Sequence, residues 1–310
     1  MPDSTRPSGC NNVPAADSVA ARLIERWAHP LFLVGAAGLW LAMGRSELAA
    51  LVALAGSLLM MEVLERLVPA KPAWHQSWGE KAKLAGVYLM VLFIFGLVVS
   101  VYERLLGAGL SGIRESLGLA LWPGNWPVMV QVLMLYFASD FIYYWIHRTI
   151  HRWSLLWRLS GHGFHHAFHN LHAINVGATH PFEVLFLALP MVLLAATFGA
   201  PAEAVAGASV LLIVNGTLAH ANLRMDTPVF NWFFTSSNQH RRHHSTVFEV
   251  SNTNYACNAI VWDRLFGTYS HGEVEQTGIG PRQPTFREMF LLPWREPDGA
   301  DTAATRARAG

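Results

Sequence analysis

Charged residues are scarce in this sequence. Asp, Glu, Lys and Arg make up 14% of the 310 residues, against roughly 25% in an average soluble domain, whereas hydrophobic residues make up 52%. The mean hydropathy is +0.28. This composition excludes an ordinary soluble domain and predicts an integral membrane protein. The formal net charge is only +1, so no basic field favours nucleic acid as a partner.

Cysteine is nearly absent as well. The two cysteines, Cys10 and Cys257, lie far apart in the chain, which excludes a disulfide framework and a metal site built from thiolates. The N-terminal segment is polar and lacks the apolar core of a secretory signal peptide. We therefore expect a flexible N-terminal tail over residues 1–27 and a C-terminal tail over residues 286–310.

Long apolar runs are the main structural feature that the sequence does contain. A membrane-spanning helix needs about 20 mostly apolar residues, and four runs meet or approach this length, at residues 29–44, 48–64, 84–101 and 128–145. Two shorter runs, 181–198 and 202–218, predict an apolar hairpin. Residues 103–127 carry several charges and predict an interfacial segment. The predicted fold class is all-α, an integral membrane helical bundle of about four full spans plus a short apolar hairpin.

Positive charge predicts the orientation of these spans. Lys and Arg residues cluster before the first span, in the loop after the second, after the fourth and in the C-terminal part of the chain. Alternation of the spans puts all of these clusters on one side, and in membrane proteins the side rich in Lys and Arg is cytoplasmic. We therefore expect both termini and a histidine-rich cap on the cytoplasmic side.

Three histidine motifs indicate the chemistry. One has the spacing i, i+4, and the other two have the spacing i, i+3, i+4, so on a helix each motif aims its imidazoles in one direction. These eight imidazoles are too many for one tetrahedral ion, which predicts two metal ions in an all-nitrogen site. A ninth ligand is expected where the apolar hairpin ends. The predicted ligands are His147, His151, His162, His165, His166, His220, His240, His243 and His244.

Two further residues are predicted to support these ligands. Asp140 lies about two helical turns before His147, so its carboxylate is expected to accept the ring N–H of a ligand histidine and fix its tautomer. Asn222 follows His220 closely and is expected to lie beside the ligands or to bind a water there. Glu183 has two interpretations, a place beside the ligands or an ion pair with an arginine.

The remaining histidines are interpreted as something other than ligands. His180 precedes a proline and is expected to hydrogen-bond within that turn. His169 and His172 are expected to lie near the ligands or to face the substrate. The other three are predicted to lie at the membrane interface without partners, and they are His29, His75 and His271.

The order of these motifs is recognisable. The chain reads Asp-Phe-Ile-Tyr-Tyr-Trp-Ile-His-Arg-Thr-Ile-His at 140–151 and His-Gly-Phe-His-His at 162–166. It continues with His-Pro-Phe-Glu at 180–183, His-Arg-Arg-His-His-Ser at 240–245 and Trp-Asp-Arg-Leu-Phe-Gly-Thr at 262–268. Over residues 128–270 the chain resembles the fatty acid hydroxylase/sterol desaturase superfamily. It departs from that pattern between Arg158 and His162, where three residues stand in place of the usual one.

This resemblance implies a membrane-embedded, oxygen-dependent oxidoreductase with two non-haem Fe ions, whose histidine-box residues correspond to the nine predicted ligands. It also implies O2 as co-substrate, a lipid substrate, and electrons from a separate protein, such as a ferredoxin or a small cytochrome with its reductase. The chain would then divide into a tail (1–27), N-terminal membrane helices with an interfacial segment (28–127), a histidine-box catalytic domain (128–285) and a C-terminal tail (286–310).

Three functions remain open on the sequence. Hydroxylation of a lipid is favoured over desaturation by a small margin, because both begin with abstraction of a hydrogen atom from a C–H bond. A divalent-metal (zinc) membrane transporter would place ligands in mid-span along a path, whereas these histidines follow the span ends. A zinc-dependent membrane hydrolase would carry a Glu general base between its ligands, as in His-Glu-x-x-His, which the sequence lacks.

Overall fold

The chain is described from a computed structural model that covers residues 18–309. The regular secondary structure of these residues is helical, without a strand, and one isolated bridge joins Ser245 to Thr277. The long helices are α1 (Val19–Ala42), α2 (Leu48–Leu67), α3 (Trp78–Tyr102), α4 (Ala108–Ser116), α5 (Val128–Arg152), α8 (Val184–Phe198) and α9 (Ala202–His220). The shorter helices are α6 (Ser154–Ser160), α7 (Gly163–His166), α10 (Ser237–His243), α11 (Phe248–Ser251), α12 (Val261–Leu265), α13 (Phe286–Leu291) and α14 (Ala303–Ala309).

Within residues 18–309, five helices are long and apolar enough to cross a membrane. They are Leu48–Leu67, Trp78–Ser116, Val128–Arg152, Pro181–Phe198 and Ala202–His220. The prediction of an all-α membrane bundle is therefore confirmed. The predicted short apolar hairpin is longer than expected, since both of its helices are long enough to cross the membrane.

The first predicted span, residues 29–44, lies in α1 and is not among these five helices. The first half of α1 carries Arg22, Glu25 and Arg26, which lower its hydropathy. α1 nevertheless runs antiparallel to α9 along the whole of that candidate span. The carbonyl of Glu25 accepts the N–H of Asp226 beyond the C-terminal end of α9, and Arg45 pairs with Glu203 in the first turn of α9. That this segment crosses the membrane stays a prediction.

The segment predicted to be interfacial, residues 103–127, is also different. α3 continues through a π-helical turn, Glu103–Gly107, directly into α4. Arg114 is one of the charged residues for which an interfacial segment was predicted. Its guanidinium donates to the carbonyl of Ala196 on α8, so the charge has a partner within the bundle. Only residues 117–127 connect α4 to α5 without a helix.

The centre of the bundle is α9, the most buried of the five candidate spans. It packs against α1, α2 and α5, and its small residues permit close approach. A Cβ on Gly207 would lie 2.6 Å from the side chain of Val132 and 2.9 Å from that of Trp40. Because α9 is fixed by neighbours on several sides, His220 at its C-terminal end is held in a defined position.

Both predicted tails need correction. α1 begins at Val19, where the Ser18 hydroxyl accepts the Ala21 N–H at 3.1 Å, so residues 18–27 are helical, and residues 1–17 lie outside the described part. The C-terminal segment contains α13 and α14, and it packs on the short helices that follow α5. Ala303 and Ala304 are buried there, because their small side chains allow α14 to lie close against α6.

Candidate metal centre

The structure brings all nine predicted ligands together in two buried groups. α5 contributes the first motif at its C-terminal end, α7 and the residue before it contribute the second, and α10 with its C-terminal cap contributes the third, while α9 ends at His220. Within each group, one nitrogen per residue lies within 4.8 Å of all the others. The five-histidine group contains His147, His151, His162, His166 and His243. The four-histidine group contains His165, His220, His240 and His244.

The Nε2 atoms converge inside each group. In the five-histidine group, Nε2 of His162 lies 2.9 Å from Nε2 of His147 and 3.0 Å from that of His151. Nε2 of His243 lies 3.2 Å from that of His147. The rings of His166 and His244 stack with their centroids 4.3 Å apart, so the two groups share a boundary.

The four-histidine group shows the same convergence. Nε2 of His220 lies 3.2 Å from Nε2 of His165 and 3.0 Å from that of His240. Nε2 of His244 lies 3.1 Å from that of His240. All four side chains are buried, so these nitrogens are shielded from bulk water.

The outer ring nitrogens of four histidines are fixed as donors. Nδ1–H of His147 donates to the Tyr255 carbonyl at 2.6 Å, and that of His243 donates to the Thr253 carbonyl at 2.8 Å. In the other group, His165 donates to Ala178 at 3.2 Å and His220 to Gly216 at 2.7 Å. A carbonyl oxygen only accepts, so each of these neutral imidazoles presents an Nε2 lone pair to the interior.

The positions of these Nε2 lone pairs indicate whether the site suits a metal ion. His147 and His243 face each other through their Nε2 atoms, and so do His165 and His220. Two lone pairs cannot hydrogen-bond to each other. Protonation does not resolve the conflict, because burial lowers the pKa of His165 to about 4 and that of His243 to about 3. A cation bound among the nitrogens does resolve it, so both groups fit a metal ion.

Glu183 is a buried residue of the site for which the sequence left two interpretations. Its Oε1 accepts the Nδ1–H of His162 at 2.6 Å and the hydroxyl of Tyr143 at 3.2 Å, and its Oε2 accepts the hydroxyl of Thr179. No arginine side chain is recorded as its partner among the described residues, so the carboxylate lies beside the ligands. The sequence signal was a lone carboxylate at the start of an apolar run.

The role predicted for Asp140 is wrong. Its carboxylate accepts the backbone N–H groups of Asn258 at 3.0 Å and Ala259 at 2.9 Å, together with the Asn258 side chain at 3.2 Å. No ligand histidine is recorded as its partner among the described residues, and the nearest one on the same helix, His147, donates to the Tyr255 carbonyl. The reason is that the loop after α11 packs against α5 and satisfies both groups with backbone atoms.

The role predicted for Asn222 is also wrong. Its side-chain oxygen accepts the Lys71 N–H at 2.9 Å, and its amide donates to the Lys71 carbonyl at 3.1 Å. Its own N–H donates to Glu65 at 2.8 Å. The chain turns away from the metal groups after His220, so Asn222 joins α9 to the loop that follows α2.

The other histidines lie outside both groups. Nδ1 of His180 accepts the Phe182 N–H at 3.2 Å, which is the turn that the sequence predicts. His172 pairs with Glu65, and His169 bonds to the Gly280 carbonyl. His29 is not interfacial, because its ring is fully buried and its Nε2 lies 2.7 Å from Oδ1 of Asn215.

With this geometry established, comparison with known proteins identifies the domain. The family model described as "Fatty acid hydroxylase" matches residues 132–268, a range that contains all nine histidines and Glu183. Residues 132–268 are similar to this family. The matched range contains both groups of converging nitrogens.

One relative with a named activity is similar to the chain outside this domain as well. It is an ornithine lipid hydroxylase of Rhizobium tropici, which is 29% identical over 216 residues. The match covers 68% of this chain and 63% of the relative, so the chain spans less than two thirds of that protein's length. No solved structure matches the chain.

Proposed function

We propose that this protein is an integral membrane lipid hydroxylase that uses two non-haem Fe ions and O2. The observation that carries the proposal is the pair of buried groups in which neutral imidazoles turn their lone pairs toward one another. The family match and the lipid hydroxylase relative support the reaction class.

The donor set favours iron over zinc. Structural and catalytic zinc sites take three or four protein ligands and supply no redox chemistry, whereas one group here offers five nitrogens. A pair of bound iron ions would supply the oxygen activation that hydroxylation of a C–H bond requires. The His residues would hold the ions, and the backbone carbonyls at residues 178, 216, 253 and 255 keep four of these rings in one tautomer.

The protein's own contribution to the reaction is shielding and orientation. Burial of the nine imidazoles keeps bulk water away from the reacting centre, which prevents loss of reactive species to the solvent. Three candidate spans, α5, α8 and α9, bring their ends to this centre. The proposed lipid substrate would therefore approach the centre from the membrane face at which these helix ends lie.

We propose an acyl-amino-acid lipid of the ornithine lipid type as the substrate class, on the basis of the similar relative. Hydroxylation is favoured over desaturation because the family and the relative are both described as hydroxylases. Electrons would come from a separate ferredoxin or a small cytochrome with its reductase. The orientation with the site and both termini in the cytoplasm, supported by the distribution of Lys and Arg, would place the site within reach of such a donor.

The transporter and hydrolase alternatives have less support. The nine histidines gather in two closed groups at helix ends, whereas a transport path needs ligands in mid-span. Metal analysis of the purified protein separates the alternatives. Iron together with O2 consumption is the expected result, and zinc together with hydrolysis and no O2 consumption would replace the proposal with the hydrolase.

The decisive experiment compares lipids of cells with and without the gene by mass spectrometry. The expected result is one lipid class that gains the mass of a single oxygen atom only when the gene is present. Loss of two hydrogen atoms would indicate desaturation, and an unchanged lipid profile would overturn the proposal.

We predict that His165→Ala and His243→Ala each abolish this product while the protein remains in the membrane, because each removes a ligand from one group. His271→Ala is the matched control, since His271 is exposed and belongs to neither group. Product at the wild-type level in either ligand variant would contradict the metal assignment.

A further inference from the structure

The carboxylate of Glu183 distinguishes the two histidine groups. Its side chain is only 3% exposed. Within residues 18–309, it is the one carboxylate recorded in a hydrogen bond with any of the nine histidines, through Nδ1 of His162 at 2.6 Å. The Tyr143 and Thr179 hydroxyls complete its shell. The five-histidine group therefore has a negative charge bonded directly to one of its rings.

The four-histidine group has no such partner. His165 and His220 donate to backbone carbonyls. Nδ1 of His240 and Nδ1 of His244 are buried without a partner among the described residues. A carboxylate acceptor increases the electron density on the opposite ring nitrogen more than a carbonyl does, and it also attracts the bound cation directly. The two groups thus offer a metal unequal electrostatic environments.

Tight backbone packing holds His162 and Glu183 together. Gly161 ends α6 with φ +68°, and a Cβ at this position would lie 2.5 Å from Cγ of His180. His180 in turn caps the turn that leads to Glu183 by accepting the Phe182 N–H. The histidine ring and the carboxylate are therefore held by two chain segments that contact each other without a gap.

We propose that Glu183 makes the five-histidine group the stronger of two unequal metal sites, acting through His162 as a positioning residue. The inference rests on the proposed metal centre but not on the identity of the lipid. An ion enters the five-histidine group first and leaves it last. Removal of the charge weakens that group more than the four-histidine group, which Glu183 does not contact through a hydrogen bond.

The test counts metal ions rather than product. The purified full-length protein is loaded with Fe(II) without oxygen, dialysed against increasing chelator concentrations, and analysed for iron per chain. Wild-type protein is expected to lose its two ions in two separate steps. Glu183→Gln preserves the shape of the side chain and removes its charge. It is expected to lower the affinity of the more tightly held ion about tenfold or more. The chelator concentrations at which the two ions are lost would then become more similar.

Matched variants separate charge from structure. Glu203→Gln removes an exposed carboxylate that pairs with Arg45, and its release curve is expected to equal that of the wild type. Tyr143→Phe removes one neutral hydrogen bond to Glu183 and keeps the charge, so it is expected to have a smaller effect than Glu183→Gln. Equal losses from both sites in Glu183→Gln, or no change, would overturn the inference.

Three further outcomes are decisive. If Glu183→Gln does not fold, Thr179→Val removes only one bond to the carboxylate, and weaker retention of one ion supports the inference whereas unchanged retention overturns it. If wild-type protein binds no iron at all, the proposed function itself fails. If wild-type protein binds two ions and hydroxylates lipid while all variants retain both ions equally well, only the inference about Glu183 fails.

Discussion

At the scale of single residues, Asp263 supports a metal ligand that it does not touch. Its carboxylate accepts the backbone N–H groups of Tyr255 and Ala256, each at 2.8 Å, and the Thr268 hydroxyl at 2.6 Å. The carbonyl of the same Tyr255 receives the Nδ1–H of His147. Burial raises the pKa of Asp263 to about 6, against the effect of these hydrogen bonds. Asp263 therefore holds the loop that fixes the tautomer of His147.

We predict that Asp263→Asn lowers both thermal stability and iron retention. An amide has only one acceptor oxygen, so one of the two backbone N–H groups loses its partner, at a cost of about 1–3 kcal/mol. Thermal unfolding in detergent and iron content measure the two effects. Asp226→Asn is the control, because Asp226 is exposed. A variant with wild-type melting temperature and iron content would contradict this role.

The sequence was informative about the ligands and less informative about their supports. The spacing of His162, His165 and His166 follows helix geometry, so it could be read directly. The partner of His147 is a backbone carbonyl more than a hundred residues later in the chain. Every residue carries such a carbonyl, so no residue type marks it, and Asp140 was assigned to a role that the backbone fills.

At the scale of elements, the turn between α6 and α7 sets the direction of the second histidine motif. Gly161 occupies the left-handed region with φ +68°, which ends α6 and directs the chain into His162. The same residue has no room for a side chain, because the ring of His180 lies against it. Three residues at 159–161, where the family pattern has one, thus supply the last turn of α6 and its glycine cap.

We predict that Gly161→Ala destabilises the protein and reduces iron bound to the five-histidine group. An alanine at positive φ is strained by roughly 1 kcal/mol, and its Cβ would also displace His180 and the neighbouring His162. Gly118→Ala is a matched control, with φ +63° but nothing within 4 Å of the added Cβ. In the control, the free energy of unfolding is expected to decrease only by the cost of this backbone strain. Equal melting temperatures for the two variants would show that the packing against His180 is unimportant.

The elements themselves were predicted in type more reliably than in length. Apolar runs marked α2, α3, α5, α8 and α9 because a helix in lipid must be apolar along its whole length. The charges at residues 103–115 hid the continuation of α3 into α4, since the backbone carbonyl on α8 that accepts from Arg114 could not be identified from the local sequence. The packing of the C-terminal segment was hidden for the same reason.

At the scale of the whole molecule, the C-terminal segment covers the metal centre. Arg158 donates to the carbonyls of Pro293 and Trp294. The Trp157 N–H donates to Glu296 at 3.1 Å, and the Trp157 ring lies 5.2 Å from that of His151. Residues 301–303 form part of the lining of a small cavity beside the five-histidine group.

We predict that a chain ending at Leu292 loses iron to a chelator several-fold faster than the full chain. The truncation removes the cover of Trp157 and opens the cavity beside His151. Arg282→Ala is the control, because it breaks a surface ion pair with Glu288 outside the removed segment, and such pairs contribute little to stability. Equal extraction rates for the truncated and full chains would show that the segment does not shield the site.

Acid is predicted to unfold the metal-free protein. Burial lowers the pKa values of His165 and His243 to about 4 and about 3, below the ordinary value of 6.5. As the pH falls below 6.5, the unfolded chain binds protons that the native protein does not, so the free energy of unfolding decreases by up to about 1.4 kcal/mol per proton and pH unit. Chemical unfolding of chelator-treated protein between pH 8 and pH 5 measures the slope. A slope that does not decrease in His165→Ala would rule out this residue as a contributor.

The order in which the site is completed follows from the positions of its parts along the chain. The first ligand is His147, yet the carbonyls that fix His243 and His147 belong to Thr253 and Tyr255, beyond the last ligand. A ribosome must therefore synthesise the chain past Tyr255 before either of these rings is held in its final tautomer. In the proposed function, iron is therefore held in its final arrangement only after the chain has been made past the last of its ligands, which makes metal loading a late step of biogenesis.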